Sequence, residues 1–113
     1  MIKYPHTFLL HILESTELIE RYISGISKED FLKSPLLQDA VIRRIEIIGE
    51  ASRNLPSDFK DKYPRIPWPE ISNMRNILVH AYFGIDLNLA WKTASADIPV
   101  LKNQIADILD SIS

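Results

Sequence analysis

The sequence contains no cysteine, which excludes disulfide frameworks, thiol nucleophiles and thiolate zinc sites and leaves only His and carboxylates as metal ligands. It also lacks any apolar run near the ~20 residues needed to cross a bilayer. The stretch Phe8-Leu9-Leu10 breaks at His11, short of the apolar segment of an export signal, so a cytoplasmic protein with no membrane association is expected. Positive charge is not in excess. Thirteen Lys and Arg face 15 Asp and Glu for a net charge of −2, so no global field draws the chain to nucleic acid or anionic lipid, and contact with a polyanion must be local. Glycine is scarce, at three residues, and internal repeats and low-complexity tracts are missing. What remains is 113 residues, 46% hydrophobic and 25% charged, the balance of one ordinary soluble domain expected to span residues 1–113. A chain of this size buries about two-thirds of its unfolded surface and folds without staples.

Seven prolines and three glycines punctuate the chain, because Pro tends to open helices and Gly to close them. From His6 to Ser24, Phe8, Ile12, Thr16, Ile19 and Ile23 recur with helical period, and Gly25 ends the run. Ser27-Lys28-Glu29-Asp30 resembles a capping box that starts a short helix carrying Phe31 and Leu32 inward. Ser34-Pro35 reads as N-cap and first residue of a second long helix, with Leu37, Val41, Ile45, Ile48, Ser52 and Leu55 as its core seam and a stop near Asn54. A short helix over Ser57 to Tyr63, capped by Ser57, precedes the proline-dense connector Pro64-Arg65-Ile66-Pro67-Trp68-Pro69. Pro69 suits the first position of a third helix that runs to about Phe83, before Gly84. Asp86 caps the last helix, which Pro99 kinks or restarts. No segment alternates with period two. The expectation is an all-α, up-and-down bundle of four to five helices with a proline-rich connector before the motif helix.

The chemistry concentrates in Met74-Arg75-Asn76-Ile77-Leu78-Val79-His80-Ala81-Tyr82, which holds an Arg-x4-His-x-Tyr pattern. By chance Arg-x4-His alone occurs in roughly one chain in ten of this length, and requiring Asn76 and Tyr82 lowers that by about three orders of magnitude, so only the long form is informative. On a continuous helix Arg75 and Tyr82 project within about 20° of each other and Arg75 and His80 lie ~140° apart. Asn76 and His80 form an i, i+4 pair, so the amide is expected to fix the imidazole tautomer. Arg75 then reaches across from a neighbouring turn, or a two-fold axis brings two copies of Arg75, Asn76 and His80 into one locally basic cleft. Such a set suits RNA cleavage without metal. A neutral imidazole takes the 2′-hydroxyl proton, an acid protonates the leaving oxygen, and the guanidinium, which stays protonated, neutralises the phosphorane.

The chain resembles, over nearly its full length, the HepT-like family of the HEPN superfamily, ribonuclease toxins of prokaryotic toxin–antitoxin pairs. Besides Arg75 to Tyr82, the resemblance rests on Leu36 to Arg43, Glu46-Ile47-Ile48-Gly49-Glu50-Ala51, Ile66-Pro67-Trp68 and Tyr82 to Leu87. It implies a HEPN-type bundle and a homodimer with Arg75 and His80 of both chains in one metal-independent endoribonuclease cleft, supported by Asn76 and free of any cofactor. It further implies a type VII toxin–antitoxin system with a separately encoded minimal nucleotidyltransferase antitoxin, which in some members transfers AMP to the motif tyrosine, here Tyr82. From another class, the same cleft suits a non-catalytic helical binding module for a nucleotide or a nucleotidyltransferase partner.

Each residue also has a plainer reading. His80 alone reads as a helix C-terminal histidine bonded to a carbonyl, Arg75 alone as an ion-pair partner of Glu70 or Glu50, and Tyr82 as a ring capping the core. Arg43, Arg44 and Arg53 share their helix with Glu46 and Glu50, which makes a solvated mixed-charge face the preferred reading over an RNA-tracking patch. His6 and His11, five apart, miss the spacing that grips a metal from one helical face. Trp68 is placed to pin the proline connector and Trp91 to anchor the core, while Gly49 permits close packing.

Overall fold

Apolar side chains at every third or fourth position give α1 (Pro5–Ile23) a stripe of Leu9, Ile12 and Ile19, all buried, in a computed structural model that describes residues 5–80 and 84–112. Thr16 joins that stripe because its hydroxyl donates to the Leu13 carbonyl at 2.7 Å, which removes the cost of burying it. Gly25, at φ +72°, closes the turn after α1. The Ser27 hydroxyl accepts from the Asp30 N–H to start α2 (Lys28–Leu32), and Ser34 caps α3 (Pro35–Asn54) through the Leu37 N–H. Buried Gln38 ties the two helices together by donating to the carbonyls of Phe31 and Leu32 at 3.0 and 3.2 Å.

The core forms where α1 packs along α3 on one side and against the C-terminal helix α8 (Ile98–Ile112) on the other, with Val41, Ile45 and Ile48 of α3 and Leu101, Ile105 and Ile108 of α8 all buried in the same cluster. Phe31 and Trp91 meet at 5.5 Å between ring centres. The helix α4 (Ser57–Asp61), which contributes Phe59 to the core, is shorter than the sequence suggested, and its cap is Pro56 rather than Ser57, with no side-chain hydrogen bond. The connector then turns through Pro64 to Pro67, pinned where the Trp68 indole N–H donates to the Tyr63 carbonyl at 3.1 Å.

The predicted motif helix is not continuous. It starts at Trp68, one residue before Pro69, and is divided into α5 (Trp68–Ser72) and α6 (Met74–Leu78) by a jog at Asn73. It ends at Leu78 instead of Phe83, because the chain returns as a hairpin: β1 (Val79–His80) pairs antiparallel with β2 (Gly84–Ile85). The Leu78 carbonyl accepts from the Asp86 N–H at 2.8 Å, and Gly84 supplies a φ of +76°. Asp86 caps α7 (Leu87–Lys92) through the Leu89 N–H. Just before Pro99 the helical register changes, and α8 begins at Ile98. A π turn over Thr93–Asp97 leads straight into α8, with the Ile98 N–H donating five residues back to the Thr93 carbonyl, and the wide turn accommodates a proline that lacks an N–H of its own.

The all-α architecture is therefore observed, with a two-residue ladder as its one addition among the described residues. No helix among them is long and apolar enough to cross a membrane.

Candidate active site

One face of α3 builds the platform for the motif. Glu46, Gly49 and Arg53 recur at i, i+3 and i+7, so they stack along one side of the helix and meet α5 and α6. Gly49 sits where a Cβ would come within 3.1 Å of the Ser72 carbonyl oxygen and 3.4 Å of that of Ile71, so the missing side chain lets α5 lie close against α3. Two polar contacts fasten the approach. The hydroxyls of buried Ser52 and of Ser72 hydrogen-bond at 2.9 Å, and the Arg53 guanidinium donates to the Ser72 carbonyl. In an unbroken helix that carbonyl would accept the N–H four residues on, so Arg53 satisfies the acceptor that the jog at Asn73 exposes.

The jog aims Arg75 and Asn76 into a cleft of about 210 Å³ lined also by Glu46, Gly49, Glu50, Arg53 and Ser72. The Glu46 carboxylate lies 3.7 Å from Arg75 Nε, whereas the sequence suggested Glu70 or Glu50 as its partner. Arg75 Nη1 donates to Asn76 Oδ1 at 3.4 Å, and the Asn76 amide donates to Asn73 Oδ1 at 3.0 Å. The predicted Asn76 to His80 contact is replaced by that one, since an i, i+4 pair exists only while the helix continues and α6 ends two residues before His80.

His80 stands in β1 opposite Gly84, exposed and outside the lining of the Arg75 cleft. It stands in the strand just past the C-cap of α6, so the ~140° offset from Arg75 that a continuous helix would set does not apply. Tyr82 lies outside the described residues. His6 and His11 are exposed, with His11 edge-on to Phe8 at 6.5 Å, and no group of three or more potential metal ligands occurs among the described residues.

Sequence reasoning passed over Glu46 and Arg53 as parts of a solvated face. Arg43 and Glu46 do pair there, at 2.7 Å, but Glu46 also reaches Arg75, and Arg53 holds α5. The signal that would have found them is the glycine midway between a Glu and an Arg on one helical face, which marks the place where another backbone must come close.

Residues 12–108 match the profile of the family described as ribonuclease HepT-like. The chain belongs to the HepT-like ribonuclease family. Its enzymatic class is accordingly that of an endoribonuclease. Among HepT-like relatives, a Caldanaerobacter subterraneus protein named as an RNase is 44% identical over 108 residues, which is 96% of each chain. A Thermococcus cleftensis protein named as a ribonuclease HepT is 53% identical over 97 residues, 86% of this chain and 88% of that one. A Methanocaldococcus jannaschii protein named for both a gamma-glutamylcyclotransferase and an RNase is 54% identical over 112 residues, 99% of this chain, which spans only 50% of that protein's length. No solved structure matches the chain.

Proposed function

We propose that residues 1–113 act as one HEPN-type unit that cleaves RNA by internal transesterification, with His80 and Arg75 as the catalytic residues and Asn76 supporting Arg75. The observation that carries this reading is the state of Arg75. Its side chain remains 44% exposed at the wall of a concave cleft although Glu46 and Asn76 flank it, so the planar fork is reachable by a phosphate. His80 removes the proton from a 2′-hydroxyl, the 2′-oxygen bonds to phosphorus, and the bond from phosphorus to the 5′-oxygen breaks as that oxygen receives a proton. The products are a 2′,3′-cyclic phosphate and a 5′-hydroxyl. Arg75 neutralises the charge that builds on the phosphorane oxygens. One imidazole serves as base and a second as acid, which fits a homodimer that contributes His80 twice.

Two features support a dimer. His80 and Arg75 occupy separate places within one chain, and the opposite side of α6 borders an apolar groove of about 400 Å³ where Ile77 and Val100 are 42% and 58% exposed. A second copy covering that groove brings both α6 helices to the axis. The proposed setting is the cytoplasm, as the toxin of a type VII toxin–antitoxin system. Its antitoxin is a minimal nucleotidyltransferase that acts by transferring AMP to Tyr82.

The test maps the cut sites on an RNA oligonucleotide in EDTA and repeats the reaction with a 2′-deoxy nucleotide at the main site. Cyclic phosphate ends, and no cut at the deoxy link, are expected. Cutting at the deoxy link, or loss of all cleavage in EDTA, overturns the mechanism.

A further inference from the structure

Arg75 is flanked by two groups with different roles. Asn76, its chain neighbour, takes Nη1, while Glu46 reaches over from α3 to the Nε edge. Glu46 spans two guanidiniums, with Oε1 at 2.7 Å from Arg43 Nη1 and Oε2 at 3.7 Å from Arg75 Nε. The backbones that carry the pair are already fastened, since α6 packs on α3 and the preceding α5 is locked onto α3 by Gly49, the Ser52–Ser72 hydroxyl bond and the Arg53 contact with the Ser72 carbonyl. What Glu46 adds is the orientation of a long side chain that would otherwise sample many rotamers at the protein surface.

We infer that Glu46 is a positioning residue for Arg75, gripping the Nε edge so that the Nη2 side of the fork faces the phosphate of the RNA. The inference rests on the reading of Arg75 as the phosphate clamp. It has a distinctive sign. A carboxylate beside an RNA cleft repels the substrate, so removing its charge favours binding, while a guanidinium released from its carboxylate loses the alignment that the transition state needs. Binding and turnover are thus pulled in different directions: KM stays equal or falls, as binding does not weaken, while kcat falls. Stability hardly enters, because Glu46 and Arg75 are 36% and 44% exposed and such pairs contribute little to folding.

The experiment measures steady-state cleavage of an RNA oligonucleotide and thermal unfolding for wild type, Glu46→Gln, Arg75→Ala, Arg75→Lys, the double variant Glu46→Gln/Arg75→Lys, and Arg43→Ala. Glu46→Gln keeps the length of the side chain and is expected to lower kcat about ten- to a hundredfold, with KM equal or lower and Tm unchanged. In the Arg75→Lys background the same change has little further effect, because lysine has no Nε edge to grip. Arg43→Ala, which removes the other partner of Glu46, keeps kcat. An unchanged or raised kcat in Glu46→Gln, with Arg75→Ala inactive, overturns the inference and leaves the role of Arg75 standing. A loss of kcat that follows a fall in Tm, or equal losses in the wild-type and Arg75→Lys backgrounds, also overturns it. Full activity in Arg75→Ala overturns the reading of Arg75 and this inference with it.

Discussion

Arg75, Asn76 and His80, the residues proposed to carry the chemistry, reach their places by different means. Arg75 and Asn76 are set by the jog at Asn73, whereas His80 is set by a hairpin whose second strand begins at Gly84. Tyr82 follows His80 by two residues, so their Cα atoms lie no more than about 7 Å apart, which keeps the proposed AMP acceptor close in the chain to the proposed base. In the proposed scheme, an AMP attached there brings a phosphodiester charge that would compete with the RNA phosphate in the composite site. Tyr82→Phe is expected to keep cleavage activity and to gain no mass on incubation with the antitoxin and ATP, while wild type gains one AMP per modified chain by intact mass spectrometry. An equal gain on both proteins would place the acceptor elsewhere. The sequence alone singles these residues out as candidates, because Arg, Asn, His and Tyr at fixed spacing are rare by chance. The role of Glu46 was not legible there, because which of several acids an arginine meets is a tertiary outcome.

The helices were legible where their ends are local. Ser27, Ser34 and Asp86 each cap through an N–H three residues ahead, a geometry that short-range sequence dictates. The motif segment was not, because Leu78 gives its carbonyl to Asp86 across the hairpin, and a ladder of two residues per strand leaves no periodic trace. The π turn before Pro99 was equally hidden, since proline signals a missing donor without specifying how the helix adapts. Close packing of α5 on α3 gives a direct prediction. Gly49→Val puts branched carbon against the Ser72 and Ile71 carbonyls, backbone atoms that cannot swing aside. A loss of about 1–3 kcal/mol is expected, read as a lower Tm, along with weaker cleavage as α6 shifts. An unchanged Tm would mean that α5 yields freely and that Gly49 does not set its distance.

The molecule as a whole is mildly acidic, with a net charge of −2, so its basic groups must be gathered locally to hold RNA. Two copies of one cleft would do that in the proposed dimer. Val100 is 58% exposed in the groove beside α6, so Val100→Glu should fold normally and yet place a charge in the proposed interface. Light scattering is expected to show a dimer for wild type and a shift to monomer for Val100→Glu at micromolar concentration, with cleavage lost in parallel. A variant that stays dimeric and fully active would move the interface to another face.

The central claim is that Arg75 and His80 cut RNA by acid–base and charge-stabilising chemistry that needs no metal. It is tested most directly by comparing purified wild type and His80→Ala on one RNA substrate in excess EDTA, with folding checked by thermal unfolding. The account predicts that wild type cleaves at its usual rate and that His80→Ala, equally folded, loses at least about a hundredfold in rate. Equal cleavage by the two proteins, or complete loss of wild-type activity in EDTA, would contradict it.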